Sequence, residues 1–177
     1  MYLKEVILAS YLHFTLKLNQ LQMKKLFLLR HGEAGFGEDT DFNRSLTSRG
    51  KSSVLNVAKT LRKTQESIDF MFCSSAKRTL ETAEIFESQV KIVERKNSDR
   101  IYSGDLADLI ALLETLSDEV NSCLIVGHNP TISLLLSLLS ESNYLNMHPG
   151  NLGIISFEFD SWKLISRGSG ILEEMIS

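Results

Sequence analysis

Leu26-Phe27-Leu28-Leu29-Arg30-His31-Gly32-Glu33 is the stretch from which the fold can be read. Four consecutive apolar residues have the length of a short strand buried on both faces, and they stop abruptly at a polar, glycine-containing turn. The same design recurs twice. Phe70-Met71-Phe72-Cys73 runs into Ser74-Ser75-Ala76-Lys77-Arg78, and Cys123-Leu124-Ile125-Val126 runs into Gly127-His128-Asn129-Pro130. Patterns of helical period lie between and after these runs. Thr47 stands as N-cap before Val54, Val57, Ala58 and Leu61. Ser74 and Ser75 can cap a helix starting near Ala76, and Leu106, Leu109, Ile110, Leu113 and Leu116 mark another. Asn129 as N-cap, with Pro130 at the first helical position, leads into Ile132, Leu135, Leu136 and Leu139. Residues 68–73 read as the second strand and 91–93 as a short third one. Two final strands, 152–159 and 162–165, are expected around a tight turn at Asp160-Ser161. Alternation of this kind predicts an α/β three-layer sandwich: a mostly parallel central sheet, helices on both faces and a C-terminal edge hairpin.

The composition suits one soluble domain. The chain has 177 residues, 43% hydrophobic and 23% charged, with a mean hydropathy of -0.03, which excludes wholesale disorder, collagen-like sequence and a membrane bundle. Nineteen Lys and Arg against 22 Asp and Glu leave a net charge of -3, so no global positive field draws the chain to nucleic acid or anionic lipid. Any anion site must be local. Cys73 and Cys123 each lie in an apolar run, without zinc spacing, and read as small buried hydrophobes in a reducing, cytoplasmic setting. No stretch reaches the length of a membrane-spanning helix. In residues 1–22, Ile7, Tyr11, Phe14, Leu18 and Leu21 repeat at helical spacing. This segment is expected to be an N-terminal extension, with residues 23–177 as the working domain.

Ligands of such folds bind beyond the carboxyl ends of the strands, where Arg30, His31, Arg78 and His128 recur along one rim. Two arginines and two histidines beside helix starts make a pocket for a tetrahedral dianion, since a guanidinium offers a planar fork of donors matched to phosphate oxygens. No Gly-rich nucleotide loop and no acidic metal-ligand cluster accompany them, so no cofactor and no metal are expected. A neutral imidazole among cations is a competent nucleophile towards phosphorus, and transfer through a phosphohistidine follows.

Arg30-His31-Gly32-Glu33, the Ser-x-x-x-Arg that ends at Arg78 with Thr79 and Thr82-Ala83 after it, and Gly127-His128-Asn129-Pro130 resemble the motifs of the histidine phosphatase (phosphoglycerate mutase-like) superfamily. The segment Arg44-Ser45-Leu46-Thr47-Ser48-Arg49-Gly50 and the strand at Asn151-Leu152-Gly153 resemble its small bacterial phosphohistidine phosphatases, and the similarity covers roughly residues 24–166. The resemblance implies a metal-independent phosphatase with His31 as the phosphorylated nucleophile and Arg30, Arg78 and His128 around the phosphoryl group. It adds Arg44, Gly32 and Asn129 as substrate-binding positions, although Ser45 replaces the proline usual after that arginine. The implied substrate is a phosphohistidine-bearing protein. A small phosphorylated substrate, as for a broad phosphomonoesterase or sugar-phosphate phosphatase, and a non-catalytic phosphate-binding module are the alternatives.

An ester expels an alkoxide that needs a proton, normally from a carboxylic acid. Asp105 and Glu33 are the candidates for that acid, and neither sits in a recognisable acid motif. The lack of a clear one favours a phosphoramidate, whose imidazole is the better leaving group. His13 and His148 read as structural or solvated, and Asp39 and Asp41 as parts of a solvated loop, with a substrate gate as the alternative reading.

Overall fold

The computed structural model describes residues 23–36 and 40–177. The expected helical extension over residues 1–22, with His13, and Asp39 of the loop lie outside the described residues. Six strands form one sheet: β1 (Lys24–Arg30), β2 (Ser67–Ser74), β3 (Lys91–Ser98), β4 (Ser122–Gly127), β5 (Leu152–Phe157) and β6 (Gly170–Ile176). Their spatial order is β3-β2-β4-β1-β5-β6. β3, β2, β4 and β1 run parallel, while β5 pairs antiparallel with β1 and β6 antiparallel with β5. The connections supply α1 (Ser48–Arg62), α2 (Lys77–Glu87), a single turn α3 (Arg100–Ser103), α4 (Leu106–Glu114) and α5 (Thr131–Leu139). The α/β sandwich expected from the sequence is the architecture observed. Among the described residues no helix is long and apolar enough to cross a membrane.

Period-2 alternation explains why the inner strands read as unbroken apolar runs. Leu26 and Leu28 of β1 pack with Cys123, Ile125, α4 and α5 on one face, whereas Phe27 and Leu29 join Leu124, Val126, α1 and α2 on the other. Thr47 caps α1 as expected, its hydroxyl accepting the Gly50 N–H at 3.0 Å.

The edges depart from expectation. β3 extends to Ser98 rather than ending at Val93, pairing with β2 along its whole length. Its Lys-, Arg- and Glu-rich sequence is mostly exposed at the sheet edge, so no apolar pattern announced it. The predicted hairpin also fails at its second arm. Residues Trp162–Leu164 form a 3-10 turn, and the last strand is β6. Trp162 is fully buried, its indole N–H donating to the Val120 carbonyl at 2.7 Å and its ring meeting Phe157 edge-on, which pins the connection beneath the sheet instead of in it. Gly168, at φ +67, lets the chain reverse before β6.

Candidate active site

Strand register brings the rim residues together. Arg30 pairs with Gly127 across β1 and β4, and Cys73 pairs with Val126 across β2 and β4. His31, Ser74 and His128 therefore leave three adjacent strands at one level. A pocket of about 610 Å³ opens there, lined by Arg30, His31, Glu33, Arg44, Arg78 and His128, with Asp41 and Asn129 also on its wall.

The His31 ring has a defined tautomer. Its Nδ1 lies 2.7 Å from the Gly32 carbonyl, which can only accept, so Nδ1 carries the hydrogen and Nε2 the lone pair. The Nε–H of Arg78 points at that Nε2 from 3.3 Å. Burial pushes the His31 pKa down to about 4, with the charges of Arg78, Arg30 and Arg44 adding to the effect against the Gly32 hydrogen bond. The ring is thus neutral at physiological pH, the form in which an imidazole nitrogen can act as a nucleophile.

His128 lies with its ring centroid 5.1 Å from that of His31. Its Nε2 shares a 2.7 Å hydrogen bond with the Ser74 hydroxyl. Burial, then the neighbouring His31 and Arg78, hold it down to about 3. Its Nδ1 and the Nε of Arg30 are buried without a hydrogen-bond partner among the described residues, an unfavourable state that an incoming oxyanion can relieve.

Gly32 allows the close approach on which this geometry depends. A Cβ there would come within 2.9 Å of the Gly50 carbonyl oxygen and of Val54. Its N–H donates to the Thr82 hydroxyl at 3.1 Å, which in turn donates to the Arg78 carbonyl at 2.7 Å, tying β1 to α2.

A profile of the histidine phosphatase superfamily (branch 1) matches residues 26–109. An uncharacterised protein of Mycobacterium leprae is 32% identical over 123 residues, covering 67% of this chain and 74% of that one. The chain belongs to the histidine phosphatase superfamily. Membership classes it with the phosphatase hydrolases. In fold this histidine phosphatase is similar to the protein histidine phosphatase SixA solved with tungstate (TM-score 0.76, 21% identity, 86% of this chain and 96% of that one). It is also similar to a mycobacterial glucosyl-3-phosphoglycerate phosphatase (TM-score 0.63, 15% identity, 85% and 97%).

The remaining sequence candidates of this histidine phosphatase have distinct surroundings. Arg44 lies over the Phe36 ring at 4.7 Å and donates to the Gly35 carbonyl at 2.7 Å and to Asp41 at 2.9 Å. Asn129 reaches the pocket wall, but its amide is engaged by Met147, Asn146 and Ser133. It does not cap α5, whose N-cap is Pro130. Nor does a serine side chain cap α2. The cap is Ala76, and the Ser74 hydroxyl turns to His128. Asp105 caps α4, accepting from Ala107 and Asp108, and is absent from the pocket wall. Glu33 lines the pocket, accepting from the Thr47 hydroxyl at 3.0 Å. His148 is exposed.

Nothing in the sequence points to Tyr102, and it assigns Ser74 to a helix cap and Asp41 to a solvated loop, whereas the structure bonds Ser74 to His128 and Asp41 to the site arginines. The Asp41 carboxylate is far from simply solvated. It meets Arg44 at 2.9 Å, Arg78 at 3.0 Å and the Tyr102 hydroxyl at 3.2 Å, and its backbone carbonyl accepts from Arg78 at 2.6 Å. The hydrogen bond from Arg44, with the charge of Arg78 and the other donors, holds its pKa down to about 2. The Asp41-x-x-Arg44 spacing was the one available hint.

Proposed function

We propose that this protein is a metal-independent phosphohistidine phosphatase. His31 attacks phosphorus, the substrate imidazole departs, and water then hydrolyses the enzyme phosphohistidine. The observation that carries the reading is the pairing of a neutral, tautomerically fixed His31 Nε2 with the guanidinium of Arg78 at 3.3 Å. Arg30, Arg44 and Arg78 supply the positive charge that a metal ion supplies elsewhere. Among the described residues no three His, Cys, Asp or Glu side chains are grouped as metal ligands.

The carboxyl groups favour a phosphoramidate over an ester. Asp41 is ionised, Asp105 is committed to its helix cap, and Glu33, the one acid candidate on the pocket wall, is engaged by the Thr47 hydroxyl at 3.0 Å and by Arg49 at 3.8 Å, so none is placed as a free acid to give an alkoxide its proton. Similarity in fold to the protein histidine phosphatase SixA supports the same substrate class, and a phosphorylated protein is the partner. The glucosyl-3-phosphoglycerate phosphatase with the related fold keeps a small-molecule phosphatase as the second reading.

Residues 23–177 constitute the working domain of this reading, and residues 1–22 an upstream extension. The two free, buried cysteines suit a reducing, cytoplasmic setting. A panel comparing kcat/KM on a phosphohistidine protein, p-nitrophenyl phosphate and sugar phosphates tests the proposal. Preference for the phosphohistidine protein is expected, and a preference for sugar phosphates overturns it.

A further inference from the structure

We propose that Asp41 determines specificity: its carboxylate accepts the N–H on the far ring nitrogen of an N-phosphorylated imidazole and so selects phosphohistidine over phosphate esters. This rests on the substrate reading above and assigns a part of the pocket that reading leaves unused.

Asp41 lines the pocket that holds His31, yet its side chain is 54% exposed, at the mouth rather than the floor. A carboxylate has about four acceptor positions. Among the described residues three donors reach them: Arg44 on Oδ1, and Arg78 and Tyr102 on Oδ2. One position on Oδ1 remains for an arriving N–H. The group is also held in place, because Arg78 grips the Asp41 backbone carbonyl as well. The Tyr102 ring that anchors it stands edge-on to His128 at 5.6 Å and to Phe42 at 5.0 Å. The mouth thus combines a fixed anion with aromatic rings, surroundings suited to a flat, cationic ring.

The chemistry of departure gives this placement its use. The His31 Nε2 lone pair forms the new N–P bond, while the P–N bond to the substrate breaks and leaves its electron pair on the substrate nitrogen. If the far nitrogen has no proton, the product is imidazolate, a poor leaving group. With a proton there, neutral imidazole departs, and no protein acid is needed. An ionised carboxylate accepting that N–H favours the protonated ring. Water then attacks phosphorus, both of its hydrogens leave with dihydrogen phosphate, and the lone pair returns to His31. For a sugar ester the proton must reach the leaving oxygen itself, and an ionised Asp41 has none to give.

The test compares wild type with Asp41→Asn, which keeps the shape and one acceptor oxygen, on phosphoimidazole and on p-nitrophenyl phosphate, whose phenolate leaves without a proton. The ratio of kcat/KM on phosphoimidazole to that on the aryl ester is expected to fall at least about tenfold, with partial recovery in Asp41→Glu. Parallel losses on both substrates would mean that Asp41 only aligns Arg78. Parallel gains would mean that it only competes with the phosphoryl group for the arginines. Either overturns the inference. Wild type that cleaves the ester but not phosphoimidazole overturns the substrate reading itself, and the two failures are distinguished before any variant is made. Unchanged circular dichroism and urea midpoint establish that Asp41→Asn is folded.

Discussion

The Ser74 hydroxyl and His128 Nε2 lie 2.7 Å apart, on the ends of β2 and β4, in a region where Ser74 has no solvent exposure. Ser74 is thus the one hydrogen-bond partner of the His128 ring among the described residues, since the other ring nitrogen has none, and the His31 and Tyr102 rings only pack against it. Ser74→Ala leaves a buried ring nitrogen unpaired, at a cost of about 1–3 kcal/mol. We expect kcat/KM to fall about tenfold while the chain stays folded. Steady-state kinetics with a thermal melt check this, and full activity would show that His128 is oriented by packing alone.

On the proposed mechanism, His31→Ala removes the nucleophile. Turnover should be lost, together with acid-labile, base-stable phosphate labelling of the protein. Acid quenching of enzyme incubated with labelled phosphoramidate measures the label directly, and label retained in the variant would sink the assignment.

His31 should titrate near pH 4 rather than at the ordinary imidazole value near 6.5, and its Nδ1–H tautomer should persist throughout the neutral range. Nitrogen-detected NMR reads both properties. The stability consequence has a definite sign. Between the unfolded value near 6.5 and folded values of about 4 for His31 and about 3 for His128, the unfolded chain binds protons that the folded chain refuses. Their contribution to stability is therefore full above pH 6.5 and is lost as pH falls through the folded values. A histidine midpoint near 6.5 for both rings would contradict this.

Arg78→Lys keeps a positive charge but loses the fork that spans His31 Nε2, the Asp41 backbone carbonyl and Asp41 Oδ2. Loss of such a preorganised donor set typically costs about 10²–10³ in kcat. The larger effect should fall on kcat rather than KM, and stopped-flow measurement of phosphoenzyme formation separates the two. A lysine enzyme within threefold of wild type would mean that charge alone suffices.

Gly50→Ala tests the packing beneath the nucleophile loop. A Cβ at Gly50 would overlap the Glu33 carbonyl oxygen and come 2.7 Å from its nitrogen. The backbone must move, at about 1–3 kcal/mol or more. Since Glu33 lies two residues from His31, the urea midpoint and kcat/KM should fall together. An unchanged midpoint would show that the loop yields freely.

The chain order alone was enough to place the parallel core and most of the rim. Four consecutive residues in each of β1, β2 and β4 are apolar because helices cover both faces, and an unbroken run is legible in one dimension. Arg30, His31, Arg78 and His128 stand where those runs end, so their convergence follows once the sheet is parallel. Tertiary structure decided the rest. β3 is a polar edge with no periodicity to find, and Trp162 draws its segment into a turn by burying a ring and pairing its N–H with a carbonyl 42 residues away. Asp41 looks in sequence like any loop carboxylate. Only folding brings it to Arg78, 37 residues on, and Tyr102, 61 residues on, because a pocket's charge balance depends on distances that sequence separation does not encode.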